Sequence, residues 1–227
     1  MWKDFPGRCV RATGCNGLVY SRYGYGKSDA LASPRLVRFM HDEALDYLPE
    51  LLDKLGIDRP ILLGHSDGAS IALIHAGGSG RAVRGVIVMA PHVMVEDKGI
   101  RAIEATRRNY ENTDLRDKLS RYHSNPDSAF WGWNDIWLHP QFRAWNIEEY
   151  LPQIHCPVLA IQGEEDQYGT MEQIDRVVRG IPHAEILKLK DSGHSPHRDQ
   201  TQVVIDRVAD FVTKLVDYSL DSKLAGA

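Results

Sequence analysis

The 227-residue sequence predicts an α/β fold: a mostly parallel sheet with helices on both faces and a helical insertion. Two observations carry that expectation. Five short apolar runs, GLVYS (17–21), PILLGHS (60–66), RGVIVMAP (84–91), PVLAIQG (157–163) and AEILKL (184–189), have strand length and apolar side chains on both parities. Strands covered on both faces need that composition. Between them lie amphipathic stretches near 36–55, 67–78, 171–179 and 200–217, so strand and helix alternate as in βαβ units.

Residues 93–151 break this rhythm. They hold no strand-like run but several helix-like pieces, such as IRAIEATRRNYE and TDLRDKLSRYH. Trp131, Trp133, Trp137 and Trp145, four of the five tryptophans, fall here. The expected organisation is a core of 1–92 and 152–227 with a helical lid of 93–151. The lid's aromatics serve its own small core or line a pocket beneath it. Trp131, Trp133 and Trp137, with His65, are the expected pocket residues, forming an apolar wall that favours acyl chains or rings over charged substrates.

Composition excludes several classes. Lys+Arg 27 against Asp+Glu 31 gives a net charge of -4, without the basic excess of a nucleic-acid or anionic-membrane binder. Cys9, Cys15 and Cys156 show no paired spacing and read as reduced thiols of a cytoplasmic protein. No apolar run approaches the roughly 20 residues that span a bilayer, and MWKDFPGRC is no signal peptide. The expected partner is a small-molecule substrate. A homo-oligomer is left open.

The chemistry concentrates in PILLGHSDGASIALIHAG. Gly64-His65-Ser66-Asp67-Gly68 is Gly-x-Ser-x-Gly between an apolar strand and a helical run. A strand turning sharply into a helix exposes the serine in a strained backbone conformation, and both glycines are expected to relieve clashes there. The helix N-terminus aims N–H groups at the reacting centre, so the Asp67 N–H is one expected oxyanion donor. A serine nucleophile needs a base, and the base an orienting acid. GEEDQYG (163–169) offers Glu164, Glu165 and Asp166 after one strand; DSGHSPH (191–197) offers His194 and His197 after the next. Asp166 is favoured by its short side chain and position, with Glu165 as the alternative and Glu164 facing solvent. His194 is favoured because its loop can reach back to Ser66, and His197 reads as a packing or surface residue. A His-x-x-His metal pair lacks the glutamate and helix of its protease version. No metal or cofactor is expected.

With GHSDG, GEEDQYG and SGHSPH, together with SRYGYGKSD (21–29), the chain resembles the α/β-hydrolases over nearly its whole length. The resemblance to lidded serine esterases and carbon–carbon bond hydrolases implies Ser66 as nucleophile, Asp166 as orienter and His194 as base. It also disposes of a second motif. Gly26-Lys27-Ser28 ends like a phosphate-binding loop, but Ser21 stands where the first glycine belongs and Pro34 opposes a long helix. Arg22, Gly24, Tyr25, Gly26 and Ser28 instead resemble the family's Arg-Gly-aromatic-Gly-x-Ser turn, with Tyr23 inserted.

The activity implied is hydrolysis of a small, partly apolar ester, thioester or activated carbonyl through an acyl-enzyme. A serine at the elbow argues against dehalogenase and epoxide hydrolase relatives. The rivals are carbon–carbon bond hydrolysis of a dienoic ring-cleavage product and a non-catalytic binder. In the family's pattern, a strand lies between 17–21 and 60–66 and ends in the loop of the second oxyanion donor; MWKDFPGRCVRATG matches the helix that follows. The expectation is a gap between those two strands, a loss of about 10²–10³ in turnover, and a natural start roughly forty to fifty residues earlier.

Overall fold

The computed structural model describes residues 2–224, with side chains described to Val216. Four parallel strands, β1 (Ile61–His65), β2 (Gly85–Met89), β3 (Val158–Gly163) and β4 (Glu185–Leu189), lie side by side in chain order. Strand parity sorts the side chains into two cores. Val86, Val88, Val158 and Ala160 face one way; Ile87, Met89, Leu159 and Ile161 face the other. All eight are fully or almost fully buried. Continuous apolar runs are what such two-sided burial requires.

The first core takes α2 (Phe39–Asp42), the π-helical turn Glu43–Tyr47, α4 (Asp67–Gly78) and α8 (Met171–Gly180). The π turn continues directly into α3 (Leu48–Lys54). The second core takes α1 (Phe5–Thr13) and α10 (Thr201–Leu224), packed on each other. On α10 the apolar residues Val204, Ile205, Val208, Phe211, Val212 and Leu215 recur at three- and four-residue spacing, one stripe of a helix. The short α9 (Pro196–Asp199) precedes it. Between β2 and β3 stand α5 (Asp97–Asn112), α6 (Leu115–Ser120), α7 (Pro126–Trp137) and two 3-10 turns, Pro140–Ala144 and Glu148–Gln153. Among the described residues no helix is long and apolar enough to cross a membrane.

One expected strand does not form. Residues 17–21 carry no strand, and Leu18, Val19 and Tyr20 are 50%, 58% and 40% exposed. The reason is pairing. An extended segment is a strand only when a neighbour takes its N–H and C=O groups, and β1 bonds to β2 alone. Segment and strand are separated by a cavity of about 270 Å³, whose walls include Phe5, Leu18, Leu63 and Val208. Of the two arrangements open to the sheet, direct pairing or a gap, the structure has the gap.

Candidate active site

Three loops at the carboxyl ends of the strands converge. Ser66 follows β1 at φ 55°, ψ -125°, a left-handed-side backbone that a side chain rarely adopts. Its N–H is tied to Met89 O at 3.0 Å and its carbonyl accepts from the Ala69 and Ser70 N–H groups at 2.8 and 3.1 Å. The turn is thus held from both sides. Asp67 opens α4, so its N–H has no helical carbonyl behind it.

The two glycines of the motif differ in role. A Cβ on Gly64 would lie 2.2 Å from Gly68 O and 2.6 Å from Ala69 N, so the strand can touch the helix only without a side chain. A Cβ on Gly68 would meet nothing within 4 Å. The expectation that both glycines relieve a clash holds for Gly64 alone, because the Gly68 position faces open space. Gly163 makes the same demand at the end of β3, where a Cβ would stand 2.2 Å from Ser192 O and 2.3 Å from Gly193 O. That contact brings the Asp166 and His194 loops together.

His194 Nε2 lies 3.0 Å from Ser66 Oγ. Its Nδ1 lies 2.9 Å from both Asp166 oxygens. Asp166 also accepts from the Tyr168 N–H at 2.8 Å and from Gln162 Nε2 at 2.8 Å. Burial alone would raise this carboxyl. The hydrogen bond and charge of His194 and the Tyr168 N–H outweigh it and hold the group below the usual carboxylate range. Glu164 and Glu165 are exposed. Of the three acids, the structure brings only Asp166 to the histidine.

His65 Nε2 donates to the His194 carbonyl at 2.5 Å, bracing that loop, and burial pushes its ring down to about 3. A neutral ring whose Nε2 is the donor meets a carbonyl correctly. His197 is buried among Trp2, Phe5 and His65 at centroid distances of 4.9, 5.5 and 4.9 Å, with both ring nitrogens unpartnered. Burial lowers it to about 4. Folding therefore excludes a proton that the unfolded chain accepts, so stability falls as pH drops from about 6.5 towards 4. His197→Phe is expected to raise Tm by more at pH 5 than at pH 7.5, as thermal melts at the two pH values will show. An equal shift at both would contradict the burial of a neutral ring.

A cavity of about 330 Å³ opens over Ser66 and His194. Ile103, Leu115, Leu119, Phe130, Trp133 and Trp137 supply much of its wall. The tryptophans do not act together as the sequence suggested. Trp131 is not among the cavity's lining residues; it borders a groove with Leu31 and Pro34 and packs under Arg107 at 5.1 Å. The helical turn decides this, because positions 133 and 137 share a face that 131 does not. Trp145 is buried against Phe142 at 5.3 Å. Trp137 is 3% exposed and donates from Nε1 to Asp67 Oδ1 at 3.1 Å, so it belongs to both core and cavity. Accordingly, Trp133→Ala should shift the ratio of kcat/KM between butyrate and octanoate p-nitrophenyl esters by about tenfold. Trp131→Ala should leave that ratio unchanged.

The 21–28 turn closes one side of the site. Gly24 and Gly26 have φ 83° and 61°, and a Cβ on Gly26 would stand 2.0 Å from Ser21 Oγ. The Ser28 hydroxyl donates to Ser21 O at 2.7 Å, and the Gly26 N–H donates to His123 Nδ1 at 2.9 Å. Lys27 points to solvent.

A nucleophile-elbow backbone with an Asp–His–Ser chain on a parallel sheet narrows the family, and a sequence comparison decides it. The profile described as "Alpha/beta hydrolase family" matches residues 1–207. The chain belongs to the alpha/beta hydrolase family. This hydrolase is 23% identical to 2-hydroxy-6-oxononadienedioate/2-hydroxy-6-oxononatrienedioate hydrolase 2 of Pseudomonas putida, over 93% of this chain and 82% of that protein. Among solved structures it is similar to MGS-M2, an alpha/beta hydrolase enzyme from a Medee basin deep-sea metagenome library. The TM-score there is 0.69 at 18% identity, covering 92% of this chain and 83% of that one. The esterase EaEST from Exiguobacterium antarcticum gives a TM-score of 0.64 at 20% identity, over 84% and 79% of the two chains.

Sequence reasoning missed much of this hydrolase's cavity lining, including His92, Tyr168 and Thr106. His92 follows β2, its carbonyl accepts from Ser70 Oγ at 2.6 Å, and its ring lies 5.7 Å from that of His194. Tyr168 packs at a tilt against His194, ring centroids 4.7 Å apart, and Thr106 bonds the Tyr168 hydroxyl at 2.8 Å. The available signal was position: His92 and Tyr168 sit just past strand ends, where open α/β sheets bind ligands.

Proposed function

We infer that this protein is a serine hydrolase that cleaves a small, partly apolar carboxylic ester, thioester or activated carbonyl through an acyl-enzyme. The observation that carries the reading is the unbroken chain from Asp166 through His194 to Ser66, at 2.9 and 3.0 Å, beneath a largely apolar cavity. His194 Nε2 takes the Ser66 proton as Oγ attacks the carbonyl carbon. Asp166 keeps the imidazole in the tautomer that leaves Nε2 free and stabilises the imidazolium that forms. The Asp67 N–H receives the developing oxyanion, and His194 returns its proton to the leaving group. Water, deprotonated by the same histidine, then releases the acid. The helical segment between β2 and β3 acts as a lid that supplies the apolar wall. The residues involved need no cofactor for these steps.

A fluorophosphonate probe tests this. Stoichiometric labelling, mapped to the peptide holding Ser66 and lost in Ser66→Ala, is the expected result. An inert serine in a folded protein favours the ligand-binding alternative. A second reading, cleavage of a carbon–carbon bond in a dienoic ring-cleavage product, uses the same three residues. The Pseudomonas relative favours it, since its name gives 2-hydroxy-6-oxononadienedioate as what it hydrolyses. Turnover of a dienoic diketo acid well above that of p-nitrophenyl esters would select it.

A further inference from the structure

We propose that Arg22 is a specificity residue that receives a carboxylate carried by the substrate, so that the cavity takes an apolar body with one acidic end. This rests on the hydrolase reading of Ser66 and names the class of substrate for it.

The argument starts from hydrogen bonds that are not made. A guanidinium carries five N–H donors in a rigid fork and keeps its charge at every physiological pH. Among the described residues, the Arg22 fork has no hydrogen-bond acceptor, and its Nη1 is buried without a partner. Its charge is answered, but its donors are not. Asp67 Oδ2 stands 4.0 Å from Nη2, beyond hydrogen-bond reach, and Asp67 takes its own hydrogen bond from Trp137.

Arg35 belongs to the same cluster and shows the contrast. It donates to the Tyr23 carbonyl at 2.7 Å and faces Glu43 at 3.9 Å. Arg35 ties the 21–35 loop together through that hydrogen bond, although its Nε is buried without a partner; Arg22 makes no side-chain hydrogen bond among the described residues. Both guanidinium groups flank the Tyr25 ring, at 4.9 and 5.0 Å, which orients the Arg22 fork without using its donors.

Position gives the orphan fork its meaning. Arg22 lines the cavity that holds Ser66 and His194. A buried polar group left unpaired is costly, so such groups in a folded protein call for an explanation. A carboxylate matches a guanidinium fork with two parallel, charge-assisted bonds, the strongest pairing open to it. The apolar lid residues hold the rest of such a molecule, and the fork would fix its orientation. The apolar wall expected from the sequence is thereby refined: the charged end has its own place.

Two chain-matched esters test the assignment, p-nitrophenyl valerate and mono-p-nitrophenyl glutarate, which differ by a terminal carboxylate. The wild-type protein is expected to prefer the glutarate ester in kcat/KM by about 10- to 100-fold, the range of a charged hydrogen bond. Arg22→Met should erase that preference, mainly through KM, with a loss on the glutarate ester at least ten times that on the valerate ester. Equal losses on both esters, or no wild-type preference, would overturn the proposal. Should Arg22→Met not fold, Arg22→Gln, which lacks the charge, is read in the same way. If the wild type cleaves neither ester, the hydrolase reading fails and the binding claim is judged separately. Glutarate is then titrated into Ser66→Ala and Ser66→Ala/Arg22→Met, followed by tryptophan fluorescence. Binding at least tenfold weaker in the double variant supports the carboxylate site; equal binding refutes it.

Discussion

Ser66→Ala and His194→Ala are each expected to reduce turnover of short p-nitrophenyl esters by on the order of 10⁴–10⁶-fold. The two losses should be similar and should not multiply in the double variant. Oγ and Nε2 are 3.0 Å apart, and in the proposed mechanism they share one proton transfer, so removing either would disable the other. Asp166→Asn should cost on the order of 10⁴, because an amide facing Nδ1 can stabilise the wrong tautomer. His197→Ala is the internal control. Its ring packs on Trp2 and Phe5, so it should lower Tm while leaving the three residues' chemistry in place. An active His194→Ala protein beside a folded but inactive His197→Ala would reverse the assignment of the base.

Gly64→Ala is expected to be strongly damaging for a single added methyl group. The added Cβ meets the backbone of α4 at Gly68 O, 2.2 Å away, and backbone cannot rotate aside as a side chain can. Overpacking of this kind costs about 1–3 kcal/mol, or roughly 2–10 °C in Tm for a domain of this size. Relief requires β1 and α4 to separate, which moves Ser66 relative to His194. A shift of about 1 Å in a reacting group costs on the order of 10² in turnover. Gly68→Ala gives the opposite result. Open space surrounds that position, and alanine in a helix is favoured over glycine by up to about 1 kcal/mol. Paired melts and esterase assays on the two variants will separate the glycines. Equal destabilisation would mean that the backbone contact at Gly64 is not what sets the two glycines apart.

Much of this was legible before any coordinates. β1 to β4 each form within one or two residues of the apolar runs that announced them, since two-sided burial writes itself into composition at every position. The elbow was legible because its motif is local: five adjacent residues define a turn whose strain only certain backbones tolerate. Asp166 and His194 were placed less firmly. Each had a neighbour of the same chemistry, and local spacing does not say which side chain turns inward. Trp131 shows the same limit, one residue type on a helix whose faces differ. The run at 17–21 shows another. Its residues have strand composition, but a strand is a property of two segments, and among the described residues no strand pairs with it.

The sequence by itself determined the parallel sheet, the strand order of the serine, acid and histidine, and the apolar character of the insertion. These follow from periodicities and turns that act within about ten residues. Only the tertiary structure decided which acid meets the histidine, that His197 is a packing residue, that Gly64 and not Gly68 needs to be glycine, and that the Arg22 fork stands open. The physical reason is distance along the chain. The Ser66–His194 bond joins residues 128 apart, and the Trp137–Asp67 bond residues 70 apart. Such contacts exist only after helices and strands have packed, when burial brings the Trp137 donor to Asp67 and leaves Arg22 Nη1 without an acceptor.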